Sequence, residues 1–216
     1  MRALPLILLL SVPGLAAAQG SDRAGVWEAG FKATDNSGEF VQGGGGSSLD
    51  LDGELAWGGI VQYNINNHFA VSGEFSWSDP NYQAKFPLDT PGGGTVNVDA
   101  ELDILDTQFK AIFNFFDRVV TPYAEIGYGW TVVDSNIQDG PAETGCYWDP
   151  WWGYVCFTDY ETYESTLTSM TYGLGIRWDM GDTMVLKGSY NIREMDLDRA
   201  EDLEQDVIGV EFSWKF

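Results

Sequence analysis

The sequence predicts an all-β fold, an eight-stranded antiparallel up-and-down transmembrane β-barrel. Apolar and polar residues alternate in eight separate runs with the two-residue period of a β-strand. One of the two faces that this alternation defines carries no charge in any run. Short and long connections also alternate between the runs, as they do in barrels whose tight turns share one end. The eight runs cover residues 27–34, 54–65, 69–77, 105–115, 123–132, 169–178, 184–193 and 207–216.

The connections between the runs indicate how the predicted barrel is oriented. In barrels of bacterial outer membranes the short turns are periplasmic and the long loops extracellular. An even number of strands then places both chain ends on the periplasmic side. The pattern leaves open whether residues 96–104 extend the fourth strand beyond the membrane. The short connections are 66–68, 116–121 and 179–183, and the long ones are 35–53, 78–103, 133–167 and 194–206.

The first residues have the pattern of a cleaved secretory signal, which we expect to span residues 1–18. Arg2 supplies a positive charge, residues 4–12 are apolar, and small residues occupy 16–18. The apolar stretch is too short to cross a bilayer as a helix. No cysteine lies near the predicted cleavage point, which argues against a lipoprotein signal. The barrel domain is therefore predicted over residues 19–216, where membrane insertion would depend on strands. A retained membrane or amphipathic helix is the alternative.

The chain is strongly acidic, with 33 Asp and Glu against 11 Lys and Arg and a formal net charge of −22. Binding to phosphates requires a basic surface, so nucleic acid is disfavoured as a partner. The two cysteines, Cys146 and Cys156, are expected to form a single disulfide, because the chain is predicted to be exported. Glycine and aromatic residues are both abundant, which suits tight turns and membrane interfaces.

Alternation by itself does not say which face of the sheet is outside. A soluble lipocalin-like barrel also has eight strands, but its lumen is apolar and its exterior is polar. The interior of an eight-stranded barrel is only wide enough for side chains to fill it. The uncharged face carries many large rings, such as Trp57, Phe75 and Trp130, which would overfill that space. We therefore predict that the aromatic face contacts lipid and that the glycine-rich, charged face lines the lumen.

The predicted lumen contains six acids and six bases in a confined space. Charges that leave water must be paired, because their desolvation is otherwise unfavourable. We expect a network of salt bridges and hydrogen bonds that plugs the barrel. The alternative is a gated polar pathway for small solutes. The network is predicted to contain Glu28, Lys32, Glu74, Lys110, Glu125, Arg177, Lys187 and Glu211.

Most of the negative charge lies in the four long connections, which contain 23 of the acids and only two bases. The simplest interpretation is a solvated outer surface whose charges oppose aggregation, or an adaptation to a salty medium. A second hypothesis is divalent-cation binding that bridges to lipopolysaccharide phosphates, although no EF-hand spacing is present. The oxygen donors would then be Asp196, Asp198, Glu201 and Asp202.

The third long connection reads CYWDPWWGYVC, and its two cysteines would close a short ring around several aromatic residues. Such a bridge would stabilise the folded loop by roughly 2–3 kcal/mol relative to the open chain. An exposed apolar patch often marks a contact surface. The alternative is a loop that packs on itself and caps the barrel mouth. The contact surface is predicted to contain Trp148, Trp151, Trp152 and Tyr154.

No pattern in the chain selects a catalytic site. The single histidine, His68, lies in the first short turn, which we place on the periplasmic side. A Ser–His hydrolase that acts on outer-leaflet lipid would need its histidine near that leaflet. Carboxylates are abundant, but their spacing selects no pair. We therefore expect no enzymatic activity and no cofactor.

The sequence resembles the outer-membrane β-barrel superfamily of the OmpA, OmpX and OmpW type over residues 26–216. The resemblance rests on the N-terminal signal and on three segments, YNINNHFAVSGEFSW, TPYAEIGYGW and the closing VIGVEFSWKF. It implies an eight-stranded barrel in the Gram-negative outer membrane, in contact with membrane lipid and lipopolysaccharide. The terminal Phe216, with alternating aromatics before it, looks like the signal that is read by the barrel-assembly machinery of that superfamily.

Two functions agree with these observations. The acidic loops and the aromatic disulfide loop favour a structural or surface-contact protein whose ligand is on a host or another cell surface. Analogy with the family favours a narrow porin-like channel or transporter for small solutes.

Overall fold

The computed structural model describes residues 21–42, 47–87, 94–138, 143–151, 153–159, 162–196 and 203–216. The signal predicted at residues 1–18 lies outside the described residues. Among the described residues, no helix is long and apolar enough to cross a membrane. The strands, in chain order, are β1 (Trp27–Asn36), β2 (Glu39–Gln42), β3 (Ser48–Leu51), β4 (Glu54–Asn64), β5 (Phe69–Ser78), β6 (Asn81–Pro87), β7 (Thr95–Asn114), β8 (Val120–Gln138), β9 (Glu143–Asp149), β10 (Gly153–Asp159), β11 (Thr162–Met180), β12 (Met184–Met195) and β13 (Leu203–Lys215).

Eight of these strands form a closed antiparallel barrel. Their order around the ring is β1, β4, β5, β7, β8, β11, β12 and β13, and β13 pairs with β1 to complete the ring. Each barrel strand thus has a hydrogen-bonded neighbour on both sides. A closed ring leaves no edge whose backbone groups would be unsatisfied in lipid. The predicted all-β, eight-stranded antiparallel fold is confirmed.

The two ends of the barrel sequence meet beside the short turns. The amide of Phe216 donates to the carbonyl of Trp27 at 2.9 Å, and the amide of Trp27 donates back at 3.2 Å. The short turns join β4 to β5, β7 to β8 and β11 to β12 at this same end. The end predicted to be periplasmic therefore contains the start of β1, the end of β13 and the three tight turns.

The uncharged face of the strands points outward. Phe31, Phe109 and Leu174 are 70%, 60% and 63% exposed, whereas the lumenal Glu28 and Arg177 are 1% and 0% exposed. This is the orientation that the volume of the aromatic side chains predicted. The lipocalin-like alternative, with an apolar lumen, is excluded because the large rings are outside.

The long connections contain more regular structure than alternation predicted. β7 starts at Thr95, so residues 96–104 extend this strand, and β8 and β11 also continue well beyond the predicted runs. β2, β3 and β6 add to the outer part of β7, and β9 and β10 form a separate hairpin. Period-two alternation missed these strands because both faces can be polar where both contact water.

A small apolar cluster lies at the outer end of the barrel, where the added strands meet the barrel wall. It consists of Leu51, Tyr82, Ala100, Met195 and Leu203, all at most 8% exposed. These residues come from β3, β6 and β7 on one side and from β12 and β13 on the other. The cluster therefore attaches the added sheet to the barrel mouth.

Glycines on the lumenal face let large side chains pack across the barrel. Gly175 lies opposite Tyr123 in the pairing of β11 with β8. A Cβ atom at Gly175 would lie 2.4 Å from the Tyr123 ring. Tyr123 is only 2% exposed, so its ring has no free space to occupy instead. The backbone of Gly175 thus forms the surface against which this ring packs.

We expect Gly175→Val to lower the free energy of unfolding by about 1–3 kcal/mol, because the added side chain overlaps the buried Tyr123 ring. Urea unfolding in phospholipid vesicles, followed by tryptophan fluorescence, measures the change. Gly188→Val is the matched control, since nothing lies within 4 Å of a Cβ atom there. Equal stability of the two variants would contradict the packing of Tyr123 on Gly175.

Candidate functional site

The inner end of the lumen is filled by a group of paired charges around Arg177. Its guanidinium contacts Glu28 at 2.6 Å and Asp179 at 2.8 Å. Asn64 donates a further hydrogen bond to Glu28 at 2.7 Å, and Lys215 pairs with Asp179 at 2.8 Å. All five side chains are buried. The two carboxylates therefore have charged or polar partners in place of water.

A second group of charges lies further along the lumen and joins four strands. Lys110 on β7 contacts Glu74 on β5 at 3.1 Å and Glu125 on β8 at 2.9 Å. Lys32 on β1 contacts the same Glu74 at 2.5 Å. The Glu74 carboxylate thus contacts two ammonium groups. These contacts connect strands on different sides of the barrel.

Lys187 links the group around Arg177 to β13. Its ammonium contacts Glu211 at 2.9 Å and the side-chain oxygen of Gln62 at 2.5 Å. It also lies 4.0 Å from Glu28. Each of the eight side chains predicted to form the lumen network lies within ion-pair distance of another member, and these contacts arrange them in two groups of four. Four are acids and four are bases, so their formal charges cancel.

Arg23, which precedes β1, was not among the predicted network residues, although it is completely buried. Its Nε donates to Asp179 at 2.8 Å, and its Nη1 donates to the carbonyls of Asn67 and Phe116, each at 3.1 Å. Its Nη2 donates to the carbonyl of Arg118. One side chain therefore ties the N-terminal segment to two of the short turns and to the end of β11. Alternation could not find Arg23 because it belongs to no strand.

A separate pair lies nearer the outer mouth. Arg193 contacts Asp106 at 3.1 Å, and the hydroxyl of Thr131 donates to Asp106 at 2.8 Å. Both charged residues were predicted to face the lumen but were not included in the network. They form the outer limit of the paired charges, and the lining beyond them is largely apolar.

The hairpin of β9 and β10 carries the predicted disulfide, which is confirmed: Cys146 lies directly opposite Cys156 and is bonded to it. Trp148 lies opposite Tyr154 on the same face of the hairpin. Trp148 and Tyr154 are 67% and 73% exposed, and Trp151 in the turn is 85% exposed. Of the predicted contact residues, Trp152 lies outside the described part of the chain.

Carboxylates face one another just beyond the apolar band of the barrel wall. Asp103 on β7 lies opposite Asp134 on β8, a like-charge pair that opposes strand pairing. Desolvation and a hydrogen bond with Asp79 raise the pKa of Asp103, and the charge of Asp134 adds to the effect. The neighbouring carboxylates of the outer connections therefore add to the desolvation that raises the pKa of Asp103.

The predicted cation donors are only partly described. Asp196 is exposed at the end of β12, whereas Asp198, Glu201 and Asp202 lie outside the described residues. Within the described ranges, no three His, Cys, Asp or Glu side chains form a group that could hold a metal ion. Cation bridging to lipopolysaccharide stays a hypothesis.

His68 and Phe216 lie at the periplasmic end. The Nδ1 atom of His68 is 2.9 Å from the carbonyl oxygen of Asn114, and the imidazole stacks on Phe113 with 6.0 Å between ring centroids. Phe216 is 74% exposed beside the start of β1. The predicted part of Phe216 in barrel assembly stays a prediction.

The chain matches the family described as the outer membrane protein beta-barrel domain over residues 3–216. The chain belongs to this family. It is accordingly a protein of the Gram-negative outer membrane, and the resemblance predicted from its strands is confirmed. The exposed apolar face of this outer-membrane barrel is the surface that contacts lipid.

Several solved structures are similar to this outer-membrane barrel. Ail of Yersinia pestis, solved in complex with the heparin analogue sucrose octasulfate, is 14% identical with a TM-score of 0.49, over 89% of this chain and 99% of that chain. The N-terminal β-barrel domain of Pseudomonas aeruginosa OprF is 14% identical with a TM-score of 0.48, over 92% and 100%. Neisserial surface protein A is 11% identical with a TM-score of 0.48, over 88% and 97%. No curated protein sequence matches the chain.

We expect Arg177→Met to lower the free energy of unfolding by about 3–5 kcal/mol, because it leaves Glu28 and Asp179 buried without their shared guanidinium. Urea unfolding in vesicles measures this loss. Arg118→Met is the control, since the Arg118 side chain is exposed at a turn and loss of its contact with the Phe116 ring, at 5.7 Å, should cost at most about 1 kcal/mol. If both variants were equally stable, the lumenal charge pairs would not be holding the barrel together.

Proposed function

We propose that this outer-membrane protein is a non-conducting surface-contact protein without enzymatic activity. In this proposal the barrel anchors the β9–β10 hairpin, and the hairpin contacts a molecule on a host or neighbouring cell. The observation that carries the proposal is the exposure of Trp148, Trp151 and Tyr154 on a hairpin closed by the Cys146–Cys156 disulfide.

The chemistry of the hairpin suits a contact surface. Tryptophan and tyrosine supply large, rigid areas at low entropic cost, and they are enriched where proteins bind one another. The disulfide limits the conformations of the strands that carry Trp148 and Tyr154, so less freedom is lost on binding. The surrounding connections are strongly acidic, which favours a neutral or basic partner and disfavours polyanions.

The paired charges in the lumen support the absence of conduction. A water-filled path would have to separate Lys110 from Glu74 and Glu125, or Arg177 from Glu28, and separation of a buried pair is strongly unfavourable. This argument disfavours the porin-like alternative.

Assembly and membrane contacts complete the proposal. Phe216 would be read by the barrel-assembly machinery, and the acidic outer connections would contact lipopolysaccharide phosphates through bridging divalent cations. The assembly role is inferred from the resemblance to the family. The lipopolysaccharide contact is inferred from that resemblance and from the acidic charge of the outer connections.

Conductance tests the closed lumen. The purified protein in planar bilayers should give no stable, reproducible single-channel openings at neutral pH, because its lumenal charges are paired with one another. A general porin in the same lipid verifies that openings would be detected. Reproducible openings from this protein would overturn the closed-lumen proposal and restore the channel alternative.

Adhesion tests the hairpin. Combining Trp148→Ala with Trp151→Ala should weaken binding of expressing cells to host or neighbouring cells by about tenfold or more, because interface aromatics carry most of the binding energy. Phe40→Ala is the matched control, since Phe40 is a 56% exposed ring on β2, outside the hairpin. Heat-modifiable migration on gels verifies that each variant folds. Unchanged adhesion of a folded double variant would refute the contact surface.

A further inference from the structure

The outer half of the lumen contains a cavity of about 170 Å³. Its inner end is formed by the Arg193–Asp106 pair, and its outer end reaches the cluster that includes Leu51 and Leu203. Most of the wall between them is apolar. The apolar wall includes Ala56, Leu102, Ile104, Val133, Leu167 and Met195.

The charged groups of this wall are unbalanced. Three acidic residues, Asp52, Glu54 and Asp106, line the cavity together with one basic residue, Arg193, and Asp52 is also exposed to solvent. Arg193 is already paired with Asp106 at 3.1 Å. Among the described residues, neither Asp52 nor Glu54 has a basic side chain within ion-pair distance. Within the described ranges, the acidic residues of this wall therefore outnumber the basic ones.

An unpartnered amide oxygen belongs to the residue that pairs with one of these acids across two strands. Asn36 on β1 is directly opposite Glu54 on β4, and both line the cavity. Asn36 is 7% exposed, and its Oδ1 accepts no hydrogen bond from any described residue. Buried polar atoms are nearly always hydrogen-bonded, so an orphaned acceptor requires an explanation. The buried Asn36 Oδ1 and the partly exposed Glu54 carboxylate are acceptors on paired residues of one cavity, where a donor from outside could reach both.

We propose that this cavity binds a small apolar cation, a compact hydrocarbon body that carries one protonated amine. The hydrocarbon body would occupy the apolar wall, and the ammonium would donate to the Glu54 carboxylate and to Asn36 Oδ1. An ammonium satisfies both acceptors and neutralises the excess charge, whereas a carboxylate ligand would be repelled. The acidic outer surface would also concentrate cations near the mouth.

The site is a pocket with a closed inner end. The ion pairs of the inner lumen lie beyond Asp106 and Arg193, so a bound molecule has no way onward without separating them. The inference goes beyond the proposed surface contact and does not depend on the β9–β10 hairpin. An apolar cavity of about 150 Å³ accommodates benzene, so one aromatic ring with a short amine fits the space.

Benzylammonium is a suitable probe, and NMR of the isotope-labelled protein in phosphatidylcholine nanodiscs is the measurement. Zwitterionic lipid avoids unspecific attraction of the cation to the bilayer. Benzylammonium, benzyl alcohol and benzoate are titrated separately at neutral pH and about 0.15 M salt, which screens distant surface charges. The amide shifts of Ala56, Ile104 and Met195 report occupancy of the cavity.

We expect saturable shifts with benzylammonium, about tenfold weaker binding of benzyl alcohol, and no binding of benzoate. Glu54→Gln should weaken the binding of benzylammonium about tenfold, to the affinity expected for benzyl alcohol. Glu204→Gln is its control, because Glu204 is exposed on the outer face of β13. Ala56→Phe should abolish binding by filling the cavity, while Ala111→Phe on the exposed, lipid-facing side should not.

Equal affinity for benzylammonium and benzyl alcohol would overturn recognition of the ammonium. Shifts that fail to saturate, or that persist in folded Ala56→Phe protein, would overturn the cavity as the site. Heat-modifiable migration on gels shows that each variant is folded. Loss of adhesion in hairpin variants has no bearing on these results, so the two proposals fail separately.

Discussion

The pairing of charges across the lumen is the interaction on which the rest of this structure depends. Eight strands enclose too little space for the aromatic side chains of one face, so the charged face must point inward. Once inside, those charges lose their water and remain stable only beside partners of opposite sign. Arg177 illustrates the consequence, because it joins Glu28 at the start of the chain to β11 near its end. The same contacts neutralise the lumen and hold opposite walls together.

The two halves of the lumen therefore have different properties. The inner half is filled by ion pairs and is closed at the periplasmic end by Arg23, which donates to three carbonyls in two turns and to the carboxylate of Asp179. The outer half contains an apolar cavity whose carboxylates exceed its bases. In the proposed closed barrel, contacts with molecules outside the cell would be restricted to the outer half of the lumen and to the added strands and the β9–β10 hairpin.

The lumen network was accessible to sequence reasoning because two simple rules act together. Alternation identifies the residues on the inner face, and confinement requires those that are charged to pair. Glu74, Lys110 and Glu125 follow from these rules, since each lies on a strand with a regular period. Arg23 does not, because it lies outside every strand, and Asp179 was assigned to a turn although β11 continues to Met180. Which acid contacts which base also depends on strand stagger and side-chain reach, which alternation does not contain.

The sequence by itself determined the number of membrane strands, the face that meets lipid, the balanced charge of the lumen and the acidity of the outer surface. Each follows from local periodicity, from side-chain volume or from counting charges. Only the tertiary structure decided where Arg23 binds, that the outer connections form further strands, and that Asn36 and Glu54 share the wall of a cavity. Those features arise when segments distant in the chain are brought together by barrel closure, and no local pattern records that juxtaposition.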